Sequence, residues 1–228
     1  MDIAAEDLKK ELVDTATNPN YSDLLQDYAE LGLEAVTDSK FVDAIPAVKS
    51  FVAIVKGSVD IRDRIFLKKF AKFLAEANKL AANEREEWLK RIKVGPNNIE
   101  EKLADKLVIM VDSVNDEYKA SVIGKLLRAF VSGRISTVED LFYLTELVES
   151  CYTNVLKGLS EGREYSDEVL FRVGLKHSSN QSISEIKKSI DRDAELASRG
   201  MTSSAALSPQ SADYTSAGML LINILKSP

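Results

Sequence analysis

The chain has 228 residues, of which 45% are hydrophobic and 29% are charged, so it can bury a substantial core and falls in the ordinary globular range. Ten glycines and five prolines are few for this length, which disfavours a turn-rich β architecture. The single cysteine, Cys151, excludes an internal disulfide bond and a thiolate cluster, and the single histidine, His177, lacks a second His or Cys with which to share a metal ion. We therefore expect a helical protein without a metal or another cofactor.

Charge is distributed unevenly along the chain, although the formal net charge is only -6. Residues 1–40 carry ten acids against three bases, whereas residues 41–94 carry twelve bases against seven acids. The simplest interpretation is that the acidic helices fold near the basic segment and offset it, and the alternative leaves a basic face free for an anionic partner. The N-terminus has neither the basic start nor the apolar stretch of a signal peptide, so we expect a cytoplasmic protein.

Apolar residues at spacings of three and four predict helices over 3–16 and 22–36. Pro46 marks the start of the next helix, because proline is tolerated in a first helical turn. A basic amphipathic helix over 59–80 follows, and a short helix over 84–93 comes after it. The first 94 residues are thus predicted to be entirely helical apart from their connections.

The basic helix over 59–80 is the candidate binding element. Its apolar positions predict one buried face, formed by Ile61, Ile65, Phe66, Phe70 and Phe73. The other side carries the candidate partner-binding residues, which are Arg62, Arg64, Lys68, Lys69 and Lys72. We expect Arg62, Lys69 and Lys72 to point to water or to acids of residues 1–40. The alternative is a docking face for a phosphate-rich surface, and the apolar residues just before it add the alternative of a peripheral membrane contact.

Residues 97–160 predict a bundle of antiparallel helices joined by short loops. Asn115 and Ser136 are the predicted N-caps of two of its helices. The last helix is predicted to run unbroken to Leu159. Within that helix Cys151 falls on the apolar stripe, which indicates a small buried residue rather than a nucleophile.

A change in composition at residues 161–166 predicts a domain boundary. We expect an all-α protein with a helical bundle over 1–160 and a small α-rich module over 167–228. The module contains a predicted helix over 183–198, two short extended pieces and a closing helix capped by Thr215. This order of elements is that of a winged-helix-like module or of a helical cap on the bundle.

Three sequence elements carry a resemblance to a known group of proteins. They are Ile45-Pro46, the run IRDRIFLKKFAKFL at 61–74, and the run KLLRAFVSGRISTVEDLFYLTELVE at 125–149. Together they resemble uncharacterised bacterial and prophage-borne helical proteins over roughly residues 41–160. The resemblance implies a helical fold and a bacterial or mobile-element origin, and it carries no activity.

The sequence contains no phosphate-binding glycine loop, dinucleotide fingerprint or nucleophile elbow. We therefore expect a non-enzymatic interaction protein that acts through protein–protein contacts, either with a partner or by self-association, and we infer no small-molecule substrate. One alternative is a nucleic-acid-binding regulator that acts through residues 166–228, with the predicted helix 183–198 as its reading element. The other alternative is a membrane-associating effector that acts through residues 41–74.

Overall fold

The computed structural model describes residues 11–12, 14–16, 18–54, 59–81, 83–86, 99–178 and 212–227. These residues form helices joined by short connections and one two-stranded sheet, so the fold is all-α, as predicted. The α-helices with described bounds are α1 (Ser22–Glu30), α2 (Ser39–Ala44), α3 (Pro46–Ile54), α4 (Ile61–Ala77), α5 (Ile99–Ser113), α6 (Glu117–Val131), α7 (Val138–Ser150), α8 (Thr153–Ser160), α9 (Asp167–Arg172) and α10 (Ser216–Leu225). Two 3-10 turns cover Pro19–Tyr21 and Ala35–Thr37, and the strands are β1 (Lys176–Ser178) and β2 (Ala212–Tyr214).

Helices α4 and α6 form the centre of the molecule. The rings of Phe51, Phe66, Phe70 and Phe73 stack in a row, with successive centroids 4.4, 5.5 and 6.1 Å apart. Gly124 allows α6 to approach this row, because a Cβ atom at that position would lie 2.4 Å from the backbone oxygen of Phe73. The two helices therefore touch through their backbones as well as through apolar side chains.

Helical spacing in the sequence predicts that Leu126, Phe130, Phe142 and Val148 are core residues of the bundle, and this prediction is largely confirmed. Leu126 and Val148 are fully buried, and Phe130 is 8% exposed. Phe142 is half-buried, and the Nζ atom of Lys106 lies 4.2 Å from the centroid of its ring. In the described parts of the chain, no helix has the combination of length and apolar character that crossing a bilayer requires.

Two N-caps were predicted one residue too early. Asp116 caps α6 by accepting a hydrogen bond of 3.0 Å from the backbone N–H of Lys119, so Asn115 is not the cap. Thr137 likewise caps α7 in place of Ser136. Carboxylates and hydroxyls both cap helices well, so residue type alone does not show which of two adjacent residues is the N-cap. The predicted cap of the closing helix, Thr215, is confirmed.

Two predicted helices end earlier than expected. The helix predicted over 22–36 stops at Glu30, because Leu31 adopts an extended backbone before Gly32. The unbroken helix predicted to reach Leu159 is divided into α7 and α8, because Cys151 is extended and ends α7. This break brings the buried Cys151 thiol to 3.8 Å from the carbonyl oxygen of Val173 in the C-terminal part of the chain.

The C-terminal elements pack onto the bundle. Strands β1 and β2 pair antiparallel, with Lys176 opposite Tyr214, and α10 packs against α6 and α8. Buried residues of α10, among them Leu221 and Leu225, belong to the same core cluster as the bundle. Of the two predicted extended pieces, the one at 211–215 contains β2, and the other, at 201–207, lies outside the described residues. Strand β1 forms at the start of 177–182, a stretch whose polar sequence predicts a loop. The predicted helix 183–198 lies outside the described residues, and the boundary at 161–166 stays a prediction.

Candidate functional site: a groove along helix α4

The five predicted partner-binding residues do not share one exposed face. The side chain of Arg62 is 83% exposed, and its Nη2 atom lies 3.8 Å from Asp112 Oδ2. Lys69 is buried instead, and its Nζ atom donates hydrogen bonds to the carbonyl oxygens of Asp112 and Val114 at 2.6 and 3.0 Å. These bonds satisfy carbonyl groups at the C-terminal end of α5. The expectation that Lys69 points to water or to an acid is therefore wrong.

Lys68 also turns toward the interior. Its Nζ atom donates a hydrogen bond to the carbonyl oxygen of Leu31, just after α1, and lies 3.9 Å from Glu117 Oε2. Only 14% of its side chain is exposed, whereas Arg64 and Lys72 are half-buried. The ammonium groups of Lys68 and Lys69 are thus held by backbone carbonyl groups and, for Lys68, also by Glu117 of α6, rather than presented as a basic surface.

The apolar face of α4 is shorter than predicted. Phe66, Phe70 and Phe73 are buried, as expected, but Ile61 and Ile65 are 69% and 46% exposed. Phe66 is the first residue of α4 that is buried, so the first turn of the helix lies beyond the core. The expectation that Ile61 and Ile65 point inward is wrong for this reason.

A groove runs beside α4. It consists of two adjoining depressions of about 390 and 700 Å³, which share Glu117, Tyr118 and Lys157 as lining residues. Its floor is one face of α4 and the residues just after it, formed by Ile65, Lys68, Lys69, Lys72, Ala75, Glu76 and Lys79. The distance from the first to the last of these is about 21 Å, at 1.5 Å per helical residue. We call this feature the α4 groove.

The walls of the α4 groove come from separate parts of the chain. Helix α1 and the turn after it supply one wall, with Gln26, Ala29, Glu30 and Leu33. Helices α6 and α8 supply the other wall, with Glu117, Tyr118, Ser121, Thr153 and Lys157. The lining residues within each helix recur at spacings of three and four, as one helical face requires. Leu33 and Ile65 make the end of the groove near the start of α4 apolar.

The α4 groove is lined by charges of both signs. Lys79 Nζ is 2.8 Å from Glu76 Oε1, and the other carboxylate oxygen of Glu76 is buried with no hydrogen-bond donor among the described residues. Lys157 Nζ lies 5.2 Å from the ring centroid of Tyr118, a cation–π contact. Burial raises the pKa of Tyr118, although its hydrogen bond to Ser160 acts in the opposite direction, so the phenol stays neutral at physiological pH. The groove therefore offers apolar, anionic and cationic contacts along one line.

Asp116 holds the α6 wall to the α8 wall. Its carboxylate caps α6 and also accepts a hydrogen bond from the hydroxyl group of Thr153, the first residue of α8. Burial raises the pKa of Asp116, but the bonds from Thr153 and from the backbone N–H groups of Lys119 and Tyr118 outweigh burial and hold the pKa below its ordinary value. The wall is thereby fixed by a charged group that remains ionised when the protein is folded.

Residues singled out for chemistry in the sequence lie away from the groove. His177 is exposed on β1, and Cys151 is buried, with its pKa raised to about 11 by that burial. Among the residues that the structure describes, no three His, Cys, Asp or Glu side chains are grouped so that they could hold a metal ion.

In comparisons with known proteins, no family model, curated protein or solved structure matches the chain.

Proposed function

We propose that the protein is a non-enzymatic interaction protein, and that it binds a helical segment of a partner protein in the α4 groove. The observation that carries the proposal is the shape of the groove, which has a single helical face as its floor and helices as both walls. Its length of about 21 Å corresponds to four turns of a bound helix, or about 14 residues. Helix-in-groove binding of this kind is a recurrent mode of recognition.

The apolar end supplies the anchor of the bound helix. Leu33 and Ile65 border the depression of about 700 Å³, and Ile65 is 46% exposed there. A large apolar side chain of the partner, placed in this depression, would cover that surface. The hydrophobic gain, about 25 cal/mol for each Å² of apolar surface removed from water, would stabilise the complex.

The mixture of positive and negative charges favours a protein over a nucleic acid in this groove. Glu30, Glu76 and Glu117 line the same depression as Lys72 and Lys157. A nucleic acid carries a negative phosphate at every nucleotide, so these carboxylates would repel it wherever it contacted the lysines. A helix with apolar, basic and acidic residues on one face meets no such repulsion. The cytoplasmic location and the bacterial or mobile-element origin expected from the sequence belong to the same proposal.

The test is selection from a phage-displayed library of helical peptides on the full chain. Enriched peptides should share apolar residues at spacings of three and four, and they should bind with at least ten-fold lower affinity to Gln26→Trp and Ser121→Trp, which narrow the groove without altering the core. Ser136→Trp, at an exposed position in a turn, is the matched control and should bind as the wild type does. Circular dichroism would establish that all three variants fold.

Two outcomes of the selection would overturn the proposal. One is a selection that enriches no helical peptide. The other is a set of enriched peptides that bind the two groove variants and the wild type equally well, because their site would then lie elsewhere. Formation of dimers by the wild type that Gln26→Trp and Ser121→Trp abolish would assign the groove to self-association instead.

A further inference from the structure

The charged residues that line the α4 groove fall into two sets. Those of the first set already have a polar partner within the protein, and they are Lys68, Lys69, Glu76, Lys79, Asp116 and Glu117. Those of the second set are Glu30, Lys72 and Lys157. Within the described part of the chain, no hydrogen bond or ion pair engages their charged groups. The Nζ atom of Lys157 lies 5.2 Å from the ring centroid of Tyr118, but a cation–π contact does not neutralise its charge.

The charges of the second set lie on different sides of the groove. Glu30 is exposed on the α1 wall, whose other lining residues are uncharged. Lys157 is exposed on α8, in the opposite wall, and the half-buried Lys72 is on the floor between the two. All three line the same depression of about 390 Å³. An unpaired acid on one wall therefore faces an unpaired base on the other across the width of the groove.

Any segment that covers the α4 groove removes water from the charged groups beneath it. Groups of the first set keep their partners within the protein when this happens. The carboxylate of Glu30 and the ammonium group of Lys157 would instead lose water and gain nothing, and an unpaired charge in a dry interface costs free energy. A segment that binds tightly must therefore supply the opposite charge to each of them.

We propose that the helical segment bound in the α4 groove carries a basic side chain against Glu30 and an acidic side chain against Lys157, on opposite flanks of the same helix. This inference rests on the proposed function and adds the charge pattern of the partner to it. Lys72 does not distinguish the flanks, because it lies on the floor and its long stem lets the ammonium group turn toward either wall. Glu30 and Lys157 are therefore the specificity-determining residues.

The charges of the two walls also fix the direction of the bound segment. Its apolar anchor lies by Ile65, and Lys72 is seven residues further along α4, a distance of about 10 Å. The charged residues of the segment should therefore lie about two helical turns from its anchor. If the segment were turned end to end with the same face on the floor, its flanks would change sides, and each of its charges would meet a like charge. Only one direction along α4 pairs both Glu30 and Lys157.

The experiment selects helical peptides from one library on two full-length proteins, the wild type and an exchanged variant that combines Glu30→Lys with Lys157→Glu. The exchange leaves the net charge of the chain unchanged. In fluorescence anisotropy at about 50 mM salt, each set of peptides should bind its own protein about ten-fold more tightly than the other protein, and about 300 mM salt should reduce this ratio. The matched control, Lys40→Glu combined with Glu146→Lys, makes the same two changes at exposed positions outside the groove and should bind the first set as the wild type does.

The outcomes separate this inference from the proposed function. Peptides that lose affinity for Gln26→Trp and Ser121→Trp but bind the wild type and the exchanged variant equally well would overturn this inference and leave the proposed function standing. An exchanged variant that is folded by circular dichroism and selects no peptide would also overturn it, because the two charges would then not be interchangeable. Failure of the wild type to enrich any helical peptide would remove the proposed function and this inference together.

Discussion

Lys69 is a basic residue that stabilises a helix end in the interior of the protein. Its long apolar stem crosses the packed interface between α4 and α5, and its ammonium group reaches two carbonyl oxygens at the end of α5. A helix ends with carbonyl groups that lack partners within the helix, and a buried end without donors is costly. The lysine therefore acts as the cap of a helix to which it does not belong.

Replacement of Lys69 by methionine should destabilise the protein by about 1–3 kcal/mol, because buried carbonyl groups would lose their donor. The matched control is Arg62→Met on the exposed side of the same helix, which should change stability by no more than about 0.5 kcal/mol. Urea unfolding monitored by circular dichroism measures both values. Equal stability of the two variants would contradict the capping role.

Asp116 should make stability depend on pH in the acidic range. Its pKa in the folded protein is held below the ordinary value of 3.8, so its ionised form stabilises the fold. This contribution is fully present above the unfolded pKa and is lost as pH falls through the folded pKa. The free energy of unfolding of the wild type should therefore exceed that of Asp116→Asn by a constant amount above pH 5.

The difference between the wild type and Asp116→Asn should then shrink as pH falls below about 4, because protonation removes the charge that the variant lacks. Urea unfolding of both proteins between pH 2 and pH 7 measures the difference. A difference that stays constant over that whole range would show that the charge of Asp116 does not contribute.

At the scale of the elements, the contact between α4 and α6 depends on Gly124. Alanine there would place Cβ 2.4 Å from the backbone oxygen of Phe73 and 2.8 Å from Cβ of Glu76, so the helices would have to separate. We expect Gly124→Ala to cost about 1–3 kcal/mol, despite the better helix propensity of alanine. Gly32→Ala is the matched control, because no atom lies within 4 Å of the added Cβ.

Thermal unfolding of the two glycine variants would measure the effect. Gly124→Ala should lower Tm by several degrees, whereas Gly32→Ala should leave Tm nearly unchanged. An equal Tm for both variants would mean that α4 and α6 can move apart at no cost.

The elements were predictable where one stretch of sequence contains the whole signal. The basic helix was predicted over 59–80 and is observed at Ile61–Ala77, because its apolar spacing and the capping box of Asp60 and Asp63 are local. The break between α7 and α8 was not predictable in this way. Helical spacing continues through it, and the contacts at the break involve Asp116 and Val173, which are distant in sequence.

At the scale of the whole molecule, the α4 groove was only partly predictable. Lys68, Lys69 and Lys72 were candidate residues, and all three line the groove. The direction of their side chains was not predictable, because a lysine stem can reach water or a neighbouring helix end with equal ease. The walls come from α1, α6 and α8, and no local pattern shows that these helices meet around α4.

The boundary predicted at 161–166 can be tested on the whole chain. Residues 161–164 are exposed in the connection between α8 and α9. Limited proteolysis with subtilisin should cut within 161–166 or 200–212 before it cuts within 97–160. Mass spectrometry of the first fragments would identify the sites, and first cleavage inside α6 or α7 would contradict the division into two parts.

The row of phenylalanines along α4 has a consequence during synthesis on the ribosome. Phe66, Phe70 and Phe73 leave the ribosome about 50 residues before Gly124, the point at which α6 covers them. At translation rates of about 5–20 residues per second, this interval lasts roughly 3–10 s. For that time the nascent chain exposes an aromatic surface on which α6 has not yet packed. A chaperone that binds nascent chains should therefore bind at α4 before α6 emerges.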